Sequence, residues 1–594
     1  MNDSNDYFIK KTLQKYLVPT ILAILGTTAV QFINTLLAGR VLGKQALTAM
    51  NLLSSFTFLF AMFGCLINIG ACARASVAMG RGDDGEVGEY ETYSFVFSIL
   101  MPAIISVLLL MFMHPLMSLL GCDDSLYEFM KSYARIMLIF GFLTTMMYFP
   151  FNFLRLDGRA NISMVIFIFM GVLDVILLVV FLGAGFGLPG VAWATVISTG
   201  VADLVGVFIL FFGKKRQIKP VFPGILRLLL LTIPVFVTGA AAGINNLCNM
   251  LRTLVLNALV LRNLGSDGAS TFAVACSIIS FASASVFGCG QTVSPLVGVF
   301  YGERDPVSIK LLMNRTCRYA FIIHGLEFIG VAIAAAPIAE LFGIHDSVLV
   351  SEAAFGVRMA ALSLIPAALL NVYIYYYTAV GRNRFAISLT VLRAFVLVVL
   401  FALAIFATGL GHWYMIAFPA AELAGIGIMF LMCRHQSKKN PRYKGLLLLD
   451  DSLKVDERLL SFSVPGDKDG AVSASRMMEQ FCEENDMNPR YAMSIPLALE
   501  ELLVVMGEHC LGDDKNRFAD VRIMIDEDGI VLRIRCGGKL FDPLKWYEDR
   551  QKTMSAEELL ADDTLGIKLI SEKADVIYFK RTLGVNNLIA IFSS

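Results

Sequence analysis

Up to about residue 433 the chain is a series of long apolar stretches separated by short polar turns; beyond it, apolar and polar residues alternate at short periods. A hydrocarbon core takes about 20 helical residues to cross. Segments of at least that length fall at about 16–38, 46–78, 91–113, 128–154, 161–184 and 188–213. A second set follows at 226–262, 268–300, 314–341, 351–380, 384–408 and 413–433. The pattern predicts a polytopic α-helical membrane protein of twelve spans with a C-terminal α+β soluble domain.

The two sets repeat one another. Met79-Gly-Arg-Gly-Asp83 returns as Tyr301-Gly-Glu-Arg-Asp305, and Leu156-Asp-Gly-Arg-Ala160 as Ala379-Val-Gly-Arg-Asn383. Duplication of this kind is how many secondary transporters are built. The expected organisation is a six-helix lobe over 1–222, a second over 223–435, a linker over 436–455 and a soluble domain over 456–594.

Composition agrees with membrane residence: 57% of residues are hydrophobic and 16% charged, with a mean hydropathy of +0.68, against about 25% charged in soluble domains. Formal net charge is zero, but its distribution orients the chain. Lys10, Lys11, Lys15, Arg81, Arg155, Arg159, Lys214, Lys215, Arg216, Arg304, Lys310, Arg382 and the basic residues after 433 fall on one side. By the positive-inside rule that side is cytoplasmic, with both termini there. The halves then share one orientation, as parallel repeats. The expected location is a plasma membrane, such as a bacterial inner membrane. Eleven cysteines occur without a CxxC pair and read as small buried hydrophobes.

Ionisable groups inside spans usually face a cavity or a partner. Aligning the halves sets Asp174 against Arg393, Asp203 against Glu422 and Asn34 against Asn257. Asp174, Asn34, Asn257, Asp203 and Glu422 are the candidate cavity residues, with Asp174 binding a cation or a proton; Arg393 reads as structural. The run Tyr373, Tyr375, Tyr376 and Tyr377 suits either stacking on an organic cation or an interfacial belt.

Phe32-Ile-Asn-Thr-Leu-Leu-Ala-Gly-Arg-Val-Leu-Gly43, Asn152-Phe-Leu-Arg-Leu-Asp-Gly-Arg159 and Gly187-Leu-Pro-Gly-Val-Ala-Trp-Ala-Thr195 resemble, in that order, motifs of the multidrug and toxic compound extrusion (MATE) transporters. The resemblance covers roughly the first 435 residues. It implies two lobes that open alternately and exchange a small-molecule substrate for Na⁺ or H⁺. Asp174 matches the family's acidic position in span five, whereas Asn34 stands where the first span often carries an Asp.

The tail predicts a strand at 458–464, helices near 472–486 and 490–509, hairpin strands at 521–525 and 531–535 turning at Glu527-Asp-Gly529, a helix near 564–573, and strands near 575–582 and 587–593. This order resembles the anti-sigma-factor kinase branch of the GHKL ATPases (Bergerat fold). Glu501, His509, Gly538, Asp542 and Gly566 match that family, but Val505 replaces its Mg²⁺-binding Asn and Cys536 its adenine-binding Asp. Valine offers no oxygen to Mg²⁺, and a thiol does not replace an accepting carboxylate. The tail therefore reads as a degenerate relative with little capacity for ATP, a sensory module or one that docks a cytoplasmic protein partner.

No metal centre, catalytic triad or nucleic-acid surface is apparent, and no cofactor is implied beyond the coupling ion. The leading reading is an efflux antiporter of an organic cation or amphiphile with a cytoplasmic regulatory domain. A lipid-linked or polysaccharide flippase, and a membrane sensor whose tail binds a signalling protein, are the alternatives.

Overall fold

The computed structural model describes residues 4–119, 124–213, 216–341, 346–450, 458–511, 518–526, 529–553 and 564–593. The chain divides into two compact units. One comprises Lys15–Glu303 and Leu312–Leu449; the other combines Met1–Gln14, Arg304–Leu311 and Asp450–Ser594.

The larger unit is helical apart from a short two-stranded pairing of Tyr443–Lys444 with Leu449–Asp450 at its end. By length and composition, eleven described helices can cross a membrane: Phe8–Leu42, Phe56–Arg81, Asp84–Met111, Ala160–Gly183, Gly187–Phe212, Ile225–Gly265, Thr271–Gly302, Pro306–Glu340, Ser347–Ala379, Asn383–Ala407 and Gly411–Lys439. A bent pair, Tyr127–Ile139 with Gly141–Leu156 at 48°, makes a twelfth when taken as one span. The pair falls fourth in order, and spans are numbered accordingly below.

The sequence repeat is also a repeat of local geometry. Gly158 and Gly381 both adopt left-handed backbone, with φ of 82° and 76°. In each turn the following arginine closes a Schellman cap: Arg159 N–H donates to Leu154 O and Arg382 N–H to Tyr377 O, both at 2.8 Å. The other turn repeats as well. Gly82 and Arg304 both have positive φ, and the aspartate after each caps the next helix: Asp83 accepts from Glu86 N–H at 2.8 Å, Asp305 from Ser308 N–H at 2.9 Å.

Short π-helical turns interrupt spans two and eleven, at Cys65–Ile69 and Leu392–Val396; such turns often mark functional positions. The first turns the Asn68 amide onto Ser98 Oγ (2.9 Å) and Thr145 O (3.3 Å), joining spans two, three and four. Tyr376 and Tyr377 form no belt. Both are buried, and their hydroxyls hold the segment after span twelve by donating to Leu447 O (2.7 Å) and Leu446 O (2.6 Å).

The smaller unit carries a five-stranded antiparallel sheet: β1 (Leu459–Pro465), β2 (Phe518–Asp526), β3 (Gly529–Cys536), β4 (Val576–Thr582) and β5 (Val585–Ser593), in the order 1-2-3-5-4. Residues 527 and 528 of the expected hairpin turn lie outside the described residues. Period-two alternation gives the sheet two faces. Val521, Ile523, Leu532 and Ile534 join Met478, Leu499, Leu502 and Ile567 from the helices Lys468–Glu484, Pro489–Met506 and Leu565–Lys573 in one core. The intervening Asp520, Arg522, Arg533 and Arg535 fall on the other face. A helix not expected from the sequence, Pro543–Gln551, starts at Asp542, which accepts from Leu544 N–H (3.1 Å) and Lys545 N–H (3.3 Å).

Candidate transport site

Spans one and five cross closely. A Cβ on Gly171 would come within 2.7 Å of Val30 Cγ2, so the missing side chain permits the approach. One helical turn further along each helix, Asn34 and Asp174 meet: Asn34 Nδ2 donates to Asp174 Oδ2 at 3.0 Å. Thr195 of span six points its hydroxyl at the other carboxylate oxygen, at 3.5 Å. Asp174 and Asn34 are both buried, and Asn34 Oδ1 has no partner among the described residues. The result is one carboxylate, one amide oxygen and one hydroxyl in a buried cluster. These are the hard oxygen donors that a small cation requires, and the carboxylate can equally hold a proton.

The second half is built differently. Arg393, in the π-turn of span eleven, forms a buried ion pair with Glu422 of span twelve, Nε to Oε2 and Nη2 to Oε1 both at 3.1 Å. Arg393 follows its helix start at Asn383 by ten residues and Asp174 its own at Ala160 by fourteen, so the arginine lies one turn closer to the Gly-Arg end. Asn257 is exposed and does not reproduce the Asn34 contact. Asp203 is buried on span six, with Oδ2 unpartnered among the described residues. Of the five cavity candidates, the structure brings together Asp174 with Asn34, and places Glu422 in a separate pair.

A partly open cavity of about 180 Å³ lies between the halves. Ile24, Thr27, Cys65, Met147, Tyr148, Phe151 and Phe167 from the first half line it, with Ala242, Asn246, Phe287, Gln291 and Tyr375 from the second. Thr27 and Phe167 each stand seven residues before Asn34 and Asp174. The carboxylate site is therefore about 10 Å further along the same two helices. Thr195 and Arg155, absent from the candidates, sit inside the quoted motifs 187–195 and 152–159; their place in those motifs was the available signal.

In the smaller unit, Gly566 lets the helix Leu565–Lys573 approach Glu501, whose Cβ would be 2.5 Å from an added Cβ. Val505 is buried in the helix interior. Cys536 faces inward beside Cys510, and Asn586 Nδ2 fills the space, donating to Lys539 O at 2.6 Å and to Cys510 Sγ at 3.2 Å. His509 stacks on Phe541 with ring centroids 4.4 Å apart, next to Gly538 and Asp542 in sequence.

The opposite face of the sheet holds Asp305. Its carboxylate pairs with Arg522, and with Arg535 at 2.9 Å and Arg533 at 3.8 Å, while Arg535 also reaches Ser308 Oγ at 3.4 Å. Burial alone would push the Asp305 carboxyl up, but the three guanidiniums overcome it and hold the group well below the usual carboxylate range. Burial pushes Asp520 up against the pull of Arg535, its more distant partner at 3.8 Å.

The MatE family matches the chain over residues 19–180 and 241–404, more than half its length and covering parts of both repeats. The probable multidrug resistance protein YoeA of Bacillus subtilis is 24% identical over 349 residues, 56% of this chain and 73% of that one. The multidrug export protein MepA of Staphylococcus haemolyticus is 22% identical over 409 residues, 66% of this chain and 87% of its own. A solved multidrug resistance MATE transporter in its outward-facing conformation superimposes with a TM-score of 0.67 at 20% identity, covering 73% of this chain and 96% of that structure, which carries the fold. The chain is thus a multi-pass membrane transporter rather than an enzyme, and it belongs to the MatE family, the multidrug and toxic compound extrusion transporters.

Proposed function

We propose that the chain is an ion-coupled exporter that exchanges an organic cation or amphiphile for Na⁺ or H⁺ across a plasma membrane, with its soluble unit as a cytoplasmic regulatory domain. The observation that carries this reading is the Asn34–Asp174–Thr195 cluster. It offers a small cation or a proton one buried carboxylate flanked by an amide oxygen and a hydroxyl, about 10 Å from a cavity shared by both halves. Names that relatives carry, for multidrug resistance and multidrug export, support the direction and the breadth of cargo.

When the site is empty of cation, the Asn34 amide N–H group stabilises the Asp174 charge. A cation or proton arriving at the carboxylate removes the need for that donor. Asn34 then turns its orphaned Oδ1 toward a bound cation or releases span one from span five, and this local change is what couples ion to cargo.

The regulatory assignment draws on Asp305. Its repeat mate Asp83 is exposed and only caps a helix, whereas Asp305 caps a helix and is also gripped by arginines of the C-terminal sheet. Capping alone does not account for those arginines. Vesicle efflux by the intact chain, by Asp174→Asn and by a version ending at residue 450 tests both parts. Loss of ion drive in the substitution and altered control in the truncation are expected. Absence of substrate movement in the intact chain contradicts the exporter.

A further inference from the structure

Arg155 is 2% exposed, and its surroundings hold no counter-ion: among the described residues no carboxylate lies within 4 Å of it. Its guanidinium lies over the Phe151 ring, 4.8 Å from the centroid. One terminal nitrogen donates to the Gln291 backbone carbonyl and the other approaches Gln291 Oε1 at 3.5 Å. Nε has no partner. A buried cation satisfied only by neutral dipoles is a costly arrangement, and it persists only where something compensates.

The residues it touches identify the compensation. Phe151 and Gln291 both line the cavity between the halves, and no lining residue is charged. The carboxylates that could favour a cationic cargo stand elsewhere. Asp174 lies about 10 Å along span five from Phe167, held by Asn34, and Glu422 is neutralised by Arg393. One face of the Phe151 ring already carries a guanidinium. The charge bordering the cavity is therefore positive, among aromatic walls from Tyr148, Phe151, Phe167, Phe287 and Tyr375.

We infer that this cavity receives flat aromatic cargo bearing an anionic group, with the anion on Arg155 and the ring between the aromatic walls. The inference rests on the exporter reading and chooses between its two kinds of cargo: an anionic amphiphile rather than an organic cation. The cavity has room for a small aromatic ring system. A carboxylate there takes a bidentate pair from the planar guanidinium, displacing Gln291 of the second half. Cargo binding would thus release one of the contacts that tie the halves together, and the Asp174 site would remain free for the coupling ion.

The test uses three naphthalene probes of one shape, 2-naphthoate, 2-naphthylmethanol and 2-naphthylmethylammonium, and the purified full chain. Equilibrium binding is expected to favour the carboxylate over the ammonium by at least tenfold. Arg155→Lys should keep that order. Arg155→Gln should abolish it while leaving 2-naphthylmethanol within about twofold, a pattern that general damage to the fold does not produce. Equal or tighter binding of the ammonium by the intact chain overturns the inference, as does an equal loss of all three probes in Arg155→Gln. In vesicles with imposed proton or sodium gradients, movement of the ammonium but not the carboxylate overturns the inference and leaves the exporter standing. Movement of neither removes the exporter reading as well.

Discussion

Gly80 and Gly302 are equivalent residues of the two halves, and they meet backbone to backbone. A Cβ on Gly80 would lie 2.2 Å from Val299 O and 2.8 Å from Gly302 Cα; a Cβ on Gly302 would lie 2.2 Å from Val77 O and 2.9 Å from Gly80 Cα. The repeat thus places its own duplicate glycines at the contact between spans two and eight. Gly298 extends the seam, where an added Cβ would run into Ser76. At Gly80 and Gly302 rigid backbone is the obstacle, so a side chain there cannot be absorbed by a rotamer change.

Gly80→Val and Gly302→Val should therefore act alike. Each forces the ends of spans two and eight apart, at a cost of about 1–3 kcal/mol, and biases the halves away from the closed contact. Transport is expected to fall at least tenfold. Spin labels on the exposed Arg81, paired with labels beyond Gly302, should report a separation larger by several ångströms. An unchanged distance with normal transport would mean that the seam is not used in the cycle.

Asn34→Asp would place a second carboxylate against Asp174. Two such groups at about 3 Å share a proton, because both cannot ionise at low cost. The variant should move more cations or protons per turnover than the intact chain. The ratio of ion flux to cargo flux in vesicles measures this, and a ratio unaffected by the substitution would argue that ions do not bind at this cluster.

How much of this was legible in the sequence follows from which physical signal each feature leaves. Helices leave length and hydropathy, so twelve apolar segments could be drawn, and the duplicated Gly-Arg turns could be paired before their caps were seen. A shared face leaves a period-two pattern, so β2 and β3 were readable as a hairpin, yet nothing in Val521-Arg-Ile-Met or Val531-Leu-Arg-Ile-Arg535 says that the outward arginines would close on Asp305. Asn34 and Asp174, 140 residues apart, could be nominated separately as polar groups in apolar helices. Their contact depends on the crossing of spans at Gly171. Asn257 shows the limit of arguing by repeat: the amide is duplicated, but it is exposed and does not reproduce the Asn34 contact.

Breaking the Asp305 pairs should loosen the smaller unit. Arg522→Gln with Arg535→Gln leaves a buried carboxylate without its main partners, which costs about 3–5 kcal/mol; Asp305→Asn should also loosen the unit, because it leaves three largely buried guanidiniums without their shared carboxylate. Asp305 titrates well below its unfolded value of about 3.9. Its contribution is thus complete above about pH 4 and is lost as pH falls through the lower folded value. Limited proteolysis of residues 450–594 in the full chain at pH 7 and at low pH reads this out. Equal protection of the arginine variant and the intact chain at pH 7 would rule it out.

Mg²⁺–ATP is not expected to raise the unfolding temperature of the full chain. Asn586 fills the space beside Cys536 with its own hydrogen bonds, and Val505 faces the core. Cys536→Asp alone should not restore binding, because the carboxylate would compete with Asn586 rather than face an adenine. A magnesium-dependent shift of several degrees in the intact chain would contradict this account of the tail.

The central claim is that a cation or proton on Asp174 drives cargo out. The most direct measurement is efflux from vesicles holding the full chain, under an imposed proton or sodium gradient, compared with Asp174→Asn. The account predicts gradient-dependent efflux by the intact chain. The variant should lose at least 90% of that gradient dependence, about 1.4 kcal/mol or more of coupling, while still binding cargo. Equal gradient dependence in both proteins would contradict it.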